Sequence, residues 1–275
     1  MHLDLSGRAA IVTGAGRGIG RAVARLLASS GAAVVASDLD RAPLLETADL
    51  IAQKSGRAKA LAGDLTTSGF PESLVEAAVA EFGSIDIVVN NAGYTWDNVI
   101  QKTSDGQFQA MLDIHVVAPF RLLRAASGWI REAAKREIAE GRRVMRKVVN
   151  ITSVSGMDGI AGQSGYGSAK AGIVGLTKVL AKEWGRYNVN VNAVGFGFIE
   201  TRLTQPLGED AEIDVAGRRI RTGIQPAVIE SIQHQCPLGR FGTVEEAAGP
   251  VLFFCSPLSD YITGEVLMCS GGLRL

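Results

Sequence analysis

Thr13-Gly14-Ala15-Gly16-Arg17-Gly18-Ile19-Gly20 lies between the apolar run Ala9 to Val12 and a stretch, Arg21 to Ala28, with helical spacing. Ser29, Ser30 and Gly31 stop that helix, and Ala33 to Ala36 is a second short apolar run. Strand, glycine turn, helix, strand is one βαβ unit. Gly14, Gly16, Gly18 and Gly20 let the backbone turn sharply and approach a pyrophosphate with no Cβ in the way. The helix behind them offers free N–H groups and a positive dipole to phosphates, with Ile19 also at the cofactor. A plain tight turn also uses glycine, but the strand-to-helix setting favours dinucleotide binding. Asp38 ends the second strand, where a carboxylate accepts hydrogen bonds from ribose hydroxyls and repels a 2′-phosphate. That favours NAD over NADP; Arg17 and Arg41 pull the other way by pairing with a phosphate. A helix cap is the plainer reading of Asp38.

The alternation continues outward from this unit. Strands are expected at Lys59 to Ala62, Ile85 to Val89, Val148 to Ile151, Val189 to Val194 and Val266 to Cys269. Helices are expected at Pro71 to Phe82, Gly106 to Ala126, Tyr166 to Trp184 and Val244 to Cys255. Several strands are wholly apolar, as strands covered on both faces are. The expected fold is α/β: one Rossmann-like doubly wound parallel sheet of about seven strands in a single domain, 1–275.

Composition narrows the function classes. The chain has 275 residues with 28 basic and 28 acidic side chains, so no global field draws it to nucleic acid or an acidic membrane. No apolar run is long enough to span a bilayer, and the N-terminus lacks the apolar core of a signal peptide. The three cysteines, Cys236, Cys255 and Cys269, have neither disulfide nor zinc spacing, which fits reduced thiols in the cytoplasm and no metal.

Tyr166-Gly167-Ser168-Ala169-Lys170 opens a helix, and residues four apart share a face, so Tyr166 and Lys170 project together. A nearby ammonium lowers a phenol pKa that starts near ~10, as an acid/base near neutral pH requires. Ser153 follows a strand at the end where open α/β sheets bind ligands, placed to hold an oxygen as charge develops. A lone Tyr-x-x-x-Lys arises often by chance; the glycine turn and Ser153 give it weight.

Over nearly its whole length the chain resembles the short-chain dehydrogenase/reductase family, nearest in flavour to its 3-oxoacyl reductase-like members. The motifs are TGAGRGIG at 13–20, Asp64, NNAG at 90–93, Ser153, YGSAK at 166–170, GFIET at 197–201 and the ending YITGEVLMCSGG. The resemblance implies hydride transfer between a nicotinamide and a ketone or secondary alcohol, extending to a 3-oxoacyl thioester. It implies that Tyr166 exchanges the alcohol proton and Lys170 lowers its pKa and holds the nicotinamide ribose. Ser153 would position the substrate oxygen. Asp64 would bond the adenine, with Leu39 and Leu65 also at the cofactor. Asn90, Ala92 and Gly93 would line the cleft, and Ile199 and Thr201 would meet the nicotinamide or its phosphates. Structural readings stand beside these: Asp64 capping a turn, Asn90 bracing the central strands, Thr201 capping a helix. It also implies a homotetramer.

The chain departs from the family in four places. His115 stands where an asparagine usually joins a water-linked proton relay; a relay histidine titrating near neutral pH and a packed helix histidine both remain open. Phe196-Gly197 replaces Pro-Gly, with Phe196 at the substrate or in the core. The substrate loop, about 202–236, is longer than usual, and Glu212 to Ile224 reads as a β-hairpin. Arg131 to Lys147 is rich in basic residues, fitting either an acidic partner such as an acyl carrier protein or a solvated helix extension. A rival class is a dinucleotide-binding regulator or scaffold without turnover; His115 favours it, and Ser153, Tyr166 and Lys170 oppose it.

Overall fold

The computed structural model describes residues 3–208 and 212–274. Five-residue β1 (Ala9–Thr13) is wholly buried, and its side chains divide by alternation: Ala10 and Val12 join one apolar cluster, Ile11 the other. The same division runs through β2 (Ala33–Asp38), β4 (Ile87–Asn90), β5 (Arg146–Ser153) and β6 (Val189–Phe196). With β3 (Arg57–Ala62) and β9 (Val266–Cys269) they form one sheet in the order β3-β2-β1-β4-β5-β6-β9, every neighbouring pair parallel. One face is covered by α1 (Gly18–Ser29), α2 (Arg41–Ala52) and α9 (Val244–Cys255). The other is covered by α3 (Phe70–Phe82), α5 (Ala118–Ala139) and α7 (Ser164–Trp184). Strand order reverses between β1 and β4, so the crevice at their C-terminal ends is where a ligand belongs.

The helix expected over 106–126 is two helices. Ser104 and Gln107 form a capping box for α4 (Asp105–Leu112). A π-helical segment, Asp113–Val117, then precedes α5, which continues to Ala139. Pro119 has no N–H for the carbonyl of residue 115, and its ring crowds the turn before it, which accounts for the widened turn.

The expected hairpin is present as β7 (Glu212–Val215) and β8 (Arg218–Arg221), joined through Ala216 and Gly217, both at positive φ. That is the turn geometry matching strand twist, here with alanine at a position glycine or asparagine usually takes. Short α6 (Val154–Met157) follows β5, and α8 (Pro226–Gln235) follows the hairpin. Residues 209–211 of the substrate loop lie outside the described residues.

Two expectations are settled by packing. Phe196 is a core residue, 5 % exposed, not a substrate contact. The basic stretch is largely paired within the protein. Arg146 is buried and makes a two-pronged bond to Glu137, with both contacts at 2.7 Å, and lies over Trp129. Lys147 donates to Asn190, Ser259 and Asp260. Arg146 and Lys147 begin β5, so they lie at the opposite end of the sheet from the crevice. The helix-extension reading is the one the structure supports. Among the described residues no helix is long and apolar enough to cross a membrane, and the three cysteines are unpaired.

Candidate active site

The glycine turn is held shut by contacts that only glycine permits. A Cβ on Gly20 would overlap the Gly14 carbonyl oxygen, and one on Gly16 would meet Asp38 Oδ2 at 2.8 Å. Gly14 and Gly18 have φ of +66° and +51°, a region that favours glycine. Asp38 Oδ2 accepts from the Gly16 amide at 2.8 Å and Oδ1 from the Asp40 amide at 3.0 Å. Asp38 does not cap α2, whose N-cap is Asp40; its carboxylate ties the glycine turn to the end of β2. Arg17 is exposed and only 3.9 Å from Asp40, a weak surface pair. Thr201 lies across the turn, its Cγ2 3.6 Å from where a Gly18 Cβ would be, and Ile199 is buried beside it. Bare backbone faces this space where a side chain would fill it, as a pyrophosphate site requires.

Other expected cofactor residues divide. Asp64 Oδ1 accepts from the Thr66 amide and hydroxyl, so it caps the turn after β3. Leu39 is exposed at the end of β2, but the Leu65 side chain is in the core, leaving only its backbone for a ligand. Asn90 donates to Asn150, which donates to Thr177 on α7: a brace through the centre of the sheet. The Ala92 amide donates to Thr13 Oγ1. Asn91, which the motif contains but residue reading passed over, donates to the carbonyls of Thr13 and Gly14 and so fixes the glycine turn.

Tyr166, Lys170, Ser153 and His115 converge. Lys170 Nζ lies 5.5 Å from the centre of the Tyr166 ring and donates to the Ile151 carbonyl at 2.8 Å. Thr152 Oγ1 donates to the Lys170 carbonyl, tying β5 to α7. Ser153 ends β5, and its Oγ accepts from the Ser155 amide, capping α6. The expected lowering of the Tyr166 pKa by Lys170 is not what sets it. Burial pushes the phenol up to about 12; a hydrogen bond with Ser153 draws it down and the Asp97 charge raises it. Burial also pushes Lys170 down to about 7, because its ammonium has no carboxylate beside it.

His115 does not titrate near neutral pH. Burial, and then the Lys170 charge, hold it well below its ordinary value. Nε2 lies 2.8 Å from the Tyr94 carbonyl, an acceptor only, so Nε2 carries the proton and Nδ1 is a bare acceptor. Nδ1 is buried and has no hydrogen-bond partner among the described residues. The ring packs edge-on against Tyr166 at 5.1 Å and fills the space beside Gly93. The structure thus shows the structural bond and a neutral ring, not an acid.

One wall of the cleft has no sequence signal of its own. Asn98 N donates to the Gly162 carbonyl and Gln163 Nε2 donates to Asp97 Oδ2 at 2.6 Å, so residues 94–98 run beside 162–163, just ahead of Tyr166. This long-range pairing, with the His115 bond to the Tyr94 carbonyl, holds residues 94–98 beside 162–163. Among the described residues no group of three potential metal ligands occurs.

Comparison with known proteins agrees with this geometry. The family described as Enoyl-(Acyl carrier protein) reductase matches residues 14–274. The 3-oxoacyl-acyl-carrier-protein reductase FabG of Escherichia coli (strain K12) is 36% identical over 273 residues, 99% of this chain and 100% of that protein. A structure described as a 2-deoxy-d-gluconate 3-dehydrogenase from Agrobacterium tumefaciens with bound NADP is 36% identical, with a TM-score of 0.79, covering 98% of this chain and 97% of that one. A 7 alpha-hydroxysteroid dehydrogenase complexed with NADH and 7-oxo glycochenodeoxycholic acid is 27% identical, with a TM-score of 0.85, covering 99% and 96%.

Proposed function

The chain belongs to the short-chain dehydrogenase/reductase family, and from that premise we propose that it is an NAD(H)-linked ketone reductase and alcohol dehydrogenase with Tyr166 as its acid/base. The convergence of Tyr166, Lys170 and Ser153 at the C-terminal end of β5 carries the reading. A bound nicotinamide supplies or takes the hydride. The Gly14–Gly20 turn, Asp38 and the 199–201 segment would hold the dinucleotide, with Lys170 at the ribose. Ser153 Oγ holds the substrate oxygen, and the Tyr166 hydroxyl gives that oxygen its proton as charge builds on it. With its phenol pushed up to about 12, Tyr166 is protonated at neutral pH, the form that donates to a carbonyl oxygen. His115 serves as a neutral spacer that sets the Tyr166 ring against the Tyr94 loop.

A 3-oxoacyl thioester is the substrate class that FabG relatives suggest, and a cytoplasmic setting suits the unpaired thiols. Asp38 supports NAD, because its carboxylate, bonded to the glycine turn at the end of β2, would repel a 2′-phosphate on a dinucleotide held there. Two measurements test this. With NADH and a panel of ketones that includes a 3-oxoacyl thioester, Tyr166→Phe lowers kcat by about 10²- to 10⁴-fold; unchanged turnover removes Tyr166 from the mechanism. In separate fluorescence titrations NADH binds more tightly than NADPH, and the reverse order sinks the Asp38 argument.

A further inference from the structure

The β7–β8 hairpin carries three arginines, and among the described residues of its two strands only Arg218 has no acid opposite it in register. Across it Glu212 stands opposite Arg221, Ile213 opposite Ile220, Asp214 opposite Arg219 and Val215 opposite Arg218. Successive side chains on a strand point to opposite faces. Ile213 and Ile220 are buried, so theirs is the face laid on the protein. On the other face Arg219 and Arg221 each oppose an acid, as cross-strand charges do when they stabilise a solvated face. Arg218 falls on the inward face with Ile220, and opposite it is apolar Val215. Its guanidinium lies 5.9 Å from the centre of the Trp96 ring, and no ion pair to it occurs among the described residues. Arg218 remains exposed to solvent, so a ligand can reach it.

Trp96 is part of the cleft wall, next to Asp97, which Gln163 holds three residues ahead of Tyr166. Arg218 therefore stands at the mouth of the cleft that contains the acid/base. Arginine over an indole face is held in plane by the ring while its forked donors stay free for a planar or tetrahedral oxyanion. Asp97, whose charge is felt at Tyr166, disfavours a negative group deep in the cleft and keeps it at the mouth.

We propose that Arg218 is a specificity-determining residue that binds an oxyanion, carboxylate or phosphate, carried by the substrate away from its reacting carbon. This deepens the hydride-transfer reading and rests on it. Two matched probe pairs separate the sources: a 3-oxo carboxylate against its methyl ester, and dihydroxyacetone phosphate against dihydroxyacetone. In Arg218→Ala, KM for the anionic member of the preferred pair rises about ten- to a hundredfold, while kcat and the neutral member change less than about twofold. Arg218→Lys recovers part of the loss, since a point charge replaces the fork. An equal rise in KM for charged and neutral members, as a mere loop latch would give, overturns the proposal, and so does no change in either. Binding is read independently as the shift in thermal unfolding produced by the 3-oxo carboxylate or by dihydroxyacetone phosphate. The parent shows a shift that Arg218→Ala loses; equal shifts overturn the assignment whether or not a probe is turned over. Loss of the shift alongside a parent that reduces no ketone instead counts against the hydride-transfer reading alone.

Discussion

Lys170 carries an ammonium into the core with only a carbonyl oxygen for company, and burial pushes it down to about 7 from 10.5. Between those values the unfolded chain binds a proton that the folded chain lacks, so stability rises with pH from about 7 to about 10.5. The penalty is fully present below pH 7. Lys170→Met removes it: in urea unfolding the variant is more stable than the parent at pH 6, and the gap closes by about pH 10. A gap of the same size at both pH values would show that Lys170 is not desolvated as described. At this scale Tyr166, Lys170 and Ser153 were legible because their types and spacing announce their chemistry. Their electrostatics were not, because a pKa depends on every group that excludes water from them. His115 makes the same point: the sequence left a relay and a packed histidine open, and burial with the Lys170 charge holds it well below its ordinary value.

Among elements, the turn between β1 and α1 depends most directly on sequence. Alanine is a better helix former than glycine by about 1 kcal/mol, so Gly20→Ala would help an ordinary helix. Here the added Cβ would overlap Gly14 O and come within 2.5 Å of Asn91 Nδ2. The expected result is a loss of about 1–3 kcal/mol in urea unfolding, together with weaker NADH binding; a stabilised variant would refute the close packing. The hairpin was legible from its turn residues and alternation, whereas α2 was not expected from the sequence. The break at residues 113–117 was not foreseen, although Pro119 stood in the sequence as its signal. A periodicity count sees apolar spacing and misses a single absent amide.

For the whole molecule, residues far apart in the chain decide what each surface is for. Of the basic stretch that suggested an acidic partner, Arg146 and Lys147 are buried in ion pairs at the end of the sheet away from the crevice, and its other basic residues lie solvated on the extension of α5 and the turn after it. Apolar side chains instead stand exposed on α5 and α7, at Phe120 and Val179, and on the edge strand β9, at Leu267 beside fully exposed Tyr261. We propose that these residues lie in the interfaces of the homotetramer that the family resemblance implies. Light scattering should then give about four times the 28.9 kDa chain mass; a monomer mass would remove this assembly.

The sequence by itself determined the doubly wound sheet, the glycine turn after β1 and the shared helical face of Tyr166 and Lys170. Those features rest on local rules: alternation sets burial, glycine sets the turn, and helical spacing sets which side chains share a face. Only the tertiary structure decided that Asn91 locks the glycine turn, that Phe196 and Leu65 are core, that His115 is neutral, and that Arg218 reaches Trp96. Each of those outcomes depends on which distant segment excludes water or supplies a partner, and no local pattern records that.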